Sequence, residues 1–258
     1  MTGAQLEVKS VSRSFGGIKA VENVSFAVDP GRITGLIGPN GAGKTTLFNL
    51  ITGGMRANSG HIYFDGHDIS GWAPGKVARA GLVRSFQAAM TLPDLTVREH
   101  LEQAVLFRTV GTPLALLSAR RLRAAREEAQ AVAQDVLVFT GLEENAGEVA
   151  AALPYGLQKI LGVAMAIATT PRMLLADEPA AGLNGTETAR MEALFRAMHH
   201  ERGIALIVIE HDLPMVMRLC DRIVALAQGR LIADGTPTEV RNSPAFIEAY
   251  LGSAADAA

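Results

Sequence analysis

Residues 38–46, with the sequence GPNGAGKTT, constrain this chain more than any other segment. They fit the pattern G-x-x-x-x-G-K-[ST], whose glycines let the backbone wrap closely around an anion. The apolar run 32–37 predicts a short buried strand before the loop, and 45–51 predicts a helix after it. Loop N–H groups and the helix N-terminus would then present positive partial charge to phosphates. The segment therefore predicts a phosphate-binding loop, formed by Gly38, Pro39, Asn40, Gly41, Ala42, Gly43, Lys44, Thr45 and Thr46.

Two side chains of this loop have predicted chemical roles. The ammonium group of Lys44 would reach the β- and γ-phosphates of a nucleotide, and the hydroxyl of Thr45 would bind Mg²⁺. The alternative interpretation is an ordinary glycine-rich turn with a surface lysine. The strand pattern before the loop and the helix pattern after it favour the phosphate site.

Composition excludes some classes of protein. A chain of 258 residues with 48% apolar residues can build one large α/β domain or two small ones. The formal net charge of −2 gives no electrostatic reason to expect nucleic acid as a partner. The single cysteine, Cys220, lies in an apolar helical pattern and is predicted to be a buried structural thiol. We expect no secretory signal and no membrane-spanning segment.

The apolar pattern changes along the chain. Residues 5–11, 21–28 and 61–65 alternate between apolar and polar types, which predicts half-buried antiparallel strands. Residues from about 94 to 146 are rich in Ala, Arg and Glu and predict a helical insert, whose basic cluster near 120–126 is interpreted as a solvated face. The continuous apolar runs 173–176 and 204–209, separated by a helical pattern, predict strands of a parallel sheet.

Polar residues follow the predicted strands of this sheet. Asp177 ends one apolar run and is suited to hold Mg²⁺, while the next residue, Glu178, is suited to polarise an attacking water. His211 follows the next run and is a candidate to contact a γ-phosphate. Gln87, within the sequence RSFQ, offers a neutral ligand for Mg²⁺ and water. Taken alone, His211 would be interpreted as structural and Gln87 as a surface residue.

Together these residues resemble the ATP-binding subunit of an ABC transporter, over nearly the whole chain. The resemblance matches Phe15 to the aromatic residue that stacks on adenine, Gln87 to the Gln loop, residues 181–184 to the D-loop and His211 to the switch histidine. Residues 153–158 occupy the signature position. The implied cofactors are ATP and Mg²⁺, with Thr45, Gln87 and Asp177 at the metal. Glu178, His211 and Gln87 are the implied catalytic residues, and the implied signature contacts to ATP come from Leu153, Pro154, Tyr155 and Gly156.

The resemblance also implies a fold, partners and a location. The expected fold is an α/β P-loop NTPase (RecA-like) core with a parallel sheet, an N-terminal antiparallel β subdomain and an inserted α-helical subdomain. Residues 1–258 would form a single nucleotide-binding domain, with the helical subdomain at about 90–160. Two such domains would pair head to tail, each ATP lying between one phosphate loop and the other chain's signature. The expected partners are two transmembrane permease subunits and, indirectly, a solute-binding protein. The expected location is the cytoplasmic face of the inner membrane, as a peripheral protein.

Finer features resemble the larger ATPase subunit of branched-chain amino-acid importers. These are RSFQ at 84–87, Tyr-Gly in the signature, DEPAAGLN at 177–184 and EAYLG at 248–252. Three departures from the general family pattern are Pro154 in place of Ser, Leu157 in place of Gln and Asn184 in place of Asp. Because Pro154 has no N–H, we expect a heterodimer with a second ATPase of more usual signature, with a homodimer left open. The alternatives are an export or lipopolysaccharide-extraction ATPase, a non-transport ABC ATPase and a catalytically silent subunit.

Overall fold

The computed structural model describes residues 5–85, 92, 94–109 and 119–255, with only the backbone described at 119 and 251–255. The chain divides into two units. The first contains Met1–Arg84, Arg172–Pro179 and Phe195–Ala258, and the second contains Ser85–Pro171 and Ala180–Leu194. The interval 90–160, predicted to be a helical subdomain, falls within the second unit. That the whole chain forms a single nucleotide-binding domain stays a prediction.

An antiparallel sheet forms part of the first unit. Its strands are β1 (Leu6–Phe15), β2 (Ile18–Val28), β4 (Ser59–Phe64) and β5 (His67–Asp68), in the order β2-β1-β4-β5. Leu6 and Val8 are buried, whereas Lys9 is exposed, so one face of β1 packs on the core. Leu6 pairs with Val28 on one side and with Phe64 on the other. The antiparallel strands predicted near the N-terminus are therefore present.

The second sheet of this unit is mainly parallel. It comprises β3 (Ile33–Ile37), β6 (Leu82–Arg84), β7 (Met173–Asp177), β8 (Ala205–Ile209), β9 (Arg222–Ala227) and β10 (Arg230–Gly235), in the order β10-β9-β3-β8-β7-β6. Every residue of β3, β7 and β8 is buried, which explains their continuous apolar sequences. Leu36 pairs with Ile209, and Ile209 pairs with Asp177. The strands β3, β8 and β7 therefore end at the same edge of the sheet. The residues that follow these strands lie close to one another there.

Helices cover the sheets of the first unit. They are α1 (Lys44–Ile51), α2 (Pro74–Arg79), α7 (Leu213–Leu219), α8 (Pro237–Arg241) and α9 (Pro244–Ala255). One core joins both sheets and α1, with fully buried side chains that include Leu6, Leu47, Phe48, Phe64 and Leu175. Helices α2, α8 and α9 are not predicted from the sequence pattern, since α2 and α8 are only one to two turns long. A signal for α8 does exist, because Thr236 and Glu239 form a capping box at its start.

The second unit is helical. It contains α3 (Val97–Thr109), α4 (Ala119–Thr140), α5 (Tyr155–Ala168) and the first part of α6 (Gly185–Arg202), as well as a 3₁₀ turn at Ala150–Ala152. α3 packs against both α4 and α5 through buried residues such as Leu101, Val105 and Leu137. The side chains Arg120, Arg121, Arg123 and Arg126 are exposed, as expected for a solvated face. Within the described ranges, no helix has both the length and the apolar composition needed to cross a membrane.

Candidate active site

At two positions of the loop between β3 and α1, any side chain larger than that of glycine would clash with neighbouring backbone. A Cβ atom at Gly38 would lie 2.2 Å from the carbonyl oxygen of Leu226, and one at Gly43 would lie 2.3 Å from that of Ala20. Gly41 has open space around it but a φ of 77°, which favours glycine for conformational reasons. The backbone of residues 38–43 is therefore packed closely against β2 and β9 while it curves towards α1.

Lys44, the first residue of α1, folds back over this loop. Its ammonium group donates to the carbonyl oxygens of Gly38 at 2.6 Å and Pro39 at 3.1 Å. Burial lowers the pKa of Lys44, whereas the negative charges of Glu178 and Asp177 act in the opposite direction. Within the described part of the chain no side chain caps the N-terminus of α1, and the first turn of this helix holds no acidic residue. A half-buried cation beside an uncapped helix N-terminus is the arrangement that an anionic phosphate chain fits.

Two carboxylates follow the buried part of β7. Asp177 is 4% exposed. Glu178 has a φ of 47°, and its N–H donates to the carbonyl oxygen of Ile209 at 2.9 Å. A non-glycine residue with this backbone conformation carries strain of about 1 kcal/mol or more, which occurs preferentially at functional sites. The chain therefore leaves the strand direction immediately after Asp177, so the two neighbouring carboxylates occupy different environments.

Arg84 is a site residue whose contacts are not evident from the sequence. Its guanidinium donates to Asp177 Oδ2 at 2.5 Å and to Asn49 Oδ1 at 2.7 Å, and it lies 5.9 Å from the centre of the Phe48 ring. Its Nε atom is buried and has no hydrogen-bond partner among the described residues. In the sequence, Arg84 is part of RSFQ, which indicates the subfamily but predicts no contact for the Arg84 side chain. The partnership with a carboxylate 93 positions away depends on the pairing of β6 with β7.

His211 emerges from the same edge of the sheet, two residues after β8. Its side chain is 65% exposed, and Nδ1 lies 3.8 Å from Oε2 of the buried Glu210. Asp212 accepts a hydrogen bond from the N–H of Met215 at 3.1 Å and so caps α7. Because β3, β8 and β7 are adjacent and parallel, His211 and Glu178 share this edge with the glycine-rich loop.

Phe15 ends β1 in the hairpin beside the loop. Its side chain is 40% exposed, and the guanidinium of Arg13 lies 4.8 Å from the ring centre. Phe15 pairs with Ile18, close along β2 to Ala20, whose carbonyl oxygen abuts Gly43. The hairpin therefore places an accessible aromatic ring beside the loop.

The predicted signature residues lie in the second unit. Leu153 is buried, and Pro154 occupies the N-cap of α5, so the helix begins at Tyr155 without a side-chain cap. A Cβ atom at Gly156 would lie 2.3 Å from Glu187 Oε1, so the start of α5 packs closely on α6. Gln158 donates to the carbonyl oxygen of Leu153 at 2.9 Å.

The remaining predicted positions are the D-loop and the Gln loop. Asn184 Oδ1 accepts from the N–H groups of Thr186 and Glu187, both at 3.0 Å, and so caps α6 as an aspartate would. Gln87 lies outside the described residues. The roles assigned to individual residues by resemblance, at the signature and elsewhere, stay predictions.

The fold and the loop at the edge of its parallel sheet define a P-loop ATP-binding cassette. The family model for ABC transporters matches residues 21–181, and a model for the branched-chain amino acid ATP-binding cassette transporter matches residues 230–256. The chain therefore belongs to the ABC transporter family as an ATP-binding protein, which confirms the family and the fold class predicted from the sequence.

Relatives of known type match along almost their whole length. The chain is 40% identical over 251 residues to the high-affinity branched-chain amino acid transport ATP-binding protein BraF of Pseudomonas aeruginosa, covering 96% of this chain and 98% of BraF. It is 40% identical over 256 residues to LivG of Escherichia coli K12, covering 98% and 100%. Among solved structures, the ADP conformation of MJ1267, an ATP-binding cassette of an ABC transporter, aligns with a TM-score of 0.83 at 30% identity, covering 97% and 100%. A nucleotide-free cassette from an ABC transporter aligns at 0.80 with 29% identity, covering 96% and 99%.

Proposed function

We propose that this chain is the ATP-binding and ATP-hydrolysing subunit of an ABC importer for branched-chain amino acids or similar small polar solutes. The main observation behind this proposal is that β3, β7 and β8 end at the same edge of the sheet. Lys44, Asp177, Glu178 and His211 follow or end these strands and therefore lie close to one another at that edge. The cargo is inferred from LivG, BraF and the model matched at residues 230–256. These similarities favour the importer over the export, lipopolysaccharide-extraction and non-transport alternatives.

ATP binding uses the loop and its hairpin neighbour. Backbone N–H groups within residues 40–46, at the N-terminus of α1, hold the phosphates, and Phe15 stacks on adenine. Lys44 exchanges its contacts with the neutral carbonyls of Gly38 and Pro39 for contacts with charged phosphate oxygens. This exchange is favourable because the ammonium charge is attracted more strongly to the full negative charge of the phosphate oxygens than to the partial charge of a carbonyl oxygen.

The donor set beside the phosphates fits Mg²⁺. The hydroxyl of Thr45, the carboxylate of Asp177 and the amide of Gln87 are oxygen donors, which this hard cation prefers. When bound, Mg²⁺ neutralises charge that develops on the phosphate oxygens. Arg84 already engages Oδ2 of Asp177, which restrains the orientation of that carboxylate.

Hydrolysis depends on Glu178, His211 and Gln87. Glu178 polarises a water, which attacks the γ-phosphorus, and the bond to the leaving ADP oxygen breaks to give ADP and phosphate. His211 hydrogen-bonds the γ-phosphate or holds Glu178 and the water in place, and Gln87 contributes a second polar contact. The strained backbone of Glu178 supports a functional role for this residue.

Assembly completes the active site. The whole chain acts as a single nucleotide-binding domain with its helical subdomain at about 90–160. It dimerises with a second ATPase subunit so that each signature faces the other chain's phosphates, and the dimer docks on two permease subunits. The solute-binding protein acts only through those permeases. The protein is peripheral, at the cytoplasmic face of the inner membrane, and it has no nucleic-acid partner.

Nucleotide binding by the purified chain tests the core of this proposal. We expect Lys44→Ala to lose ATP affinity by about tenfold or more, since charge-assisted contacts to phosphate disappear. Lys9→Ala is the matched control, because Lys9 is an exposed lysine paired with Glu7 in β1. Undiminished ATP binding by the Lys44 variant would contradict the phosphate-loop assignment. Co-purification from membranes, with partners identified by mass, tests the transporter assignment independently.

A further inference from the structure

The side chain of Tyr155, the first residue of α5, packs on the D-loop segment, residues 181–184. Its hydroxyl donates to the carbonyl oxygen of Ala181 at 3.3 Å. A Cβ atom at Gly182 would lie 3.0 Å from Cε1 of the Tyr155 ring, so a side chain at position 182 would be crowded by the ring. The φ of Gly182 is 80°, which also favours glycine. The D-loop segment therefore has a shape that accepts this ring.

A carboxylate makes a second contact between the same two segments. A Cβ atom at Gly156 would lie 2.3 Å from Glu187 Oε1, so the carboxylate of Glu187 lies against the first turn of α5. Oε2 of the same carboxylate accepts a hydrogen bond from the N–H of Asn184 at 3.0 Å. Negative charge beside a helix N-terminus is favourable. Glu187 therefore contacts both the last residue of the D-loop segment and the start of the helix that carries Tyr155.

Little of the core depends on the Tyr155 ring. The residue is 53% exposed, whereas Lys159, one turn further along α5, is 7% exposed. The ammonium nitrogen of Lys159 lies 5.6 Å from the centre of the Tyr155 ring, a distance at which a cation is attracted to an aromatic face. Replacing Tyr155 should therefore leave the fold intact while it removes the contacts to the D-loop segment.

The D-loop segment begins three residues after Glu178. The N–H of Glu178 donates to the carbonyl oxygen of Ile209 at 2.9 Å, which fixes this residue to the end of β8. Further along, the N–H of Leu183 donates to the carbonyl oxygen of Ala180 at 3.0 Å and closes a turn. Because so short a connection has little slack, a shift of the D-loop segment acts on the backbone of Glu178.

We propose that Tyr155 is a positioning residue that links the signature of this chain, residues 153–158, to the placement of its own Glu178. This inference rests on the proposed function, in which the signature faces the partner's nucleotide and Glu178 acts on the nucleotide of this chain. Nucleotide at the partner's site holds the start of α5, Tyr155 holds the D-loop segment against it, and the backbone of Glu178 is restrained in turn. The two nucleotide sites are thereby coupled, and the coupling acts equally in both directions.

Tyr155→Phe tests the hydrogen bond, and Tyr155→Ala tests the ring. The assembled transporter carries glutamine in place of the partner ATPase's catalytic glutamate, so that turnover reports Glu178 of this chain. Loss of the hydroxyl should lower kcat by about two- to tenfold, and loss of the ring should lower it further. The KM for ATP should stay unchanged, because Tyr155 does not contact the nucleotide on which Glu178 acts. This division between kcat and KM is not expected from general destabilisation.

Tyr63→Phe is the matched control and should keep the wild-type kcat. Tyr63 lies in β4, in the other unit, and its ring centre is 4.7 Å from the ammonium nitrogen of Lys9. Amide hydrogen exchange in the purified full chain supplies a readout without turnover. In Tyr155→Phe, the amides of Leu183 and Asn184 should exchange faster than in wild type, with an unchanged thermal unfolding midpoint.

The outcomes distinguish the two proposals. An unchanged kcat at this chain's own site overturns the positioning role, whatever the exchange data show. A loss of turnover seen only when Glu178→Gln silences this chain, so that the partner's site is reported, assigns Tyr155 to nucleotide contact alone and also overturns the role. In both cases the proposed function stands. If the wild-type transporter hydrolyses no ATP, the proposed function is overturned, and the coupling falls with it.

Discussion

The guanidinium of Arg84 donates to Oδ2 of Asp177 at 2.5 Å, and the same group donates to Asn49 Oδ1 at 2.7 Å. Arg84 therefore ties α1, which follows the phosphate loop, to the end of β7. Asp177 is 4% exposed, and a carboxylate buried to this extent is stable only with a charged or hydrogen-bonding partner. Arg84 supplies that compensation.

Replacing Arg84 with Met should destabilise the nucleotide-free protein. The change leaves the buried Asp177 uncompensated, and breaking a buried pair in this way costs about 3–5 kcal/mol. Because the Arg84 side chain is 24% exposed, we expect a value near or below the lower limit, about 2–3 kcal/mol. Urea unfolding measures the loss. Arg84→Met combined with Asp177→Asn should recover part of it, and strictly additive effects would contradict the pairing.

Glu178→Gln should bind ATP but turn it over at least about 100-fold more slowly, because the general base is lost while the phosphate contacts remain. The trapped ATP should also favour the dimer, which size-exclusion chromatography with ATP and Mg²⁺ detects. Glu144→Gln, at an exposed position of the helical unit, is the control and should keep normal turnover. Normal turnover by the Glu178 variant would remove this residue from the base role.

Pro154→Ser should raise hydrolysis at the partner's nucleotide site. Proline offers neither a hydroxyl nor an N–H, and one or two such bonds to a charged phosphate correspond to about tenfold or more in rate. The helix should tolerate the change, since Pro154 occupies the N-cap of α5 and Ser is a favoured N-cap residue. The assembled transporter carries Glu178→Gln in this chain, so that the remaining turnover reports the partner's site. An unchanged residual rate would show that Tyr155 and Gly156 suffice.

Cys220 should be inert in the folded protein. It is 6% exposed, and burial raises the pKa of its thiol from 9.0 to about 12. A thiol-specific chromogenic reagent at pH 8 should therefore label it slowly in buffer and rapidly in urea. Fast labelling of the native chain would contradict this burial.

The raised thiol pKa of Cys220 also predicts a pH dependence of stability. Between the two pKa values the unfolded chain has lost the thiol proton and the folded chain has kept it, so stability falls as pH rises from 9.0 towards about 12. Cys220→Ala should remove this component of the pH dependence. Parallel pH profiles for wild type and variant would show that the thiol contributes nothing to it.

Much of the fold was predictable because its signals are local. The glycine-rich loop, the alternating strands near the N-terminus and the continuous apolar runs of β7 and β8 each appear within about ten residues of sequence. The parallel sheet followed from their order. Helices α8 and α9 were missed, since α8 is 5 residues long and α9 has no strong period of apolar residues. The capping box at Thr236 was a readable signal for α8.

The sequence by itself determined the chemical groups of the site and the strands that carry them. The loop pattern, the acidic pair after β7 and the histidine after β8 are properties of consecutive residues, and the parallel order brings strand ends to one edge. Only the tertiary structure decided which distant groups meet there. Arg84 reaches Asp177 because β6 pairs with β7. Such contacts depend on strand register and helix packing, which no spacing within a single segment encodes.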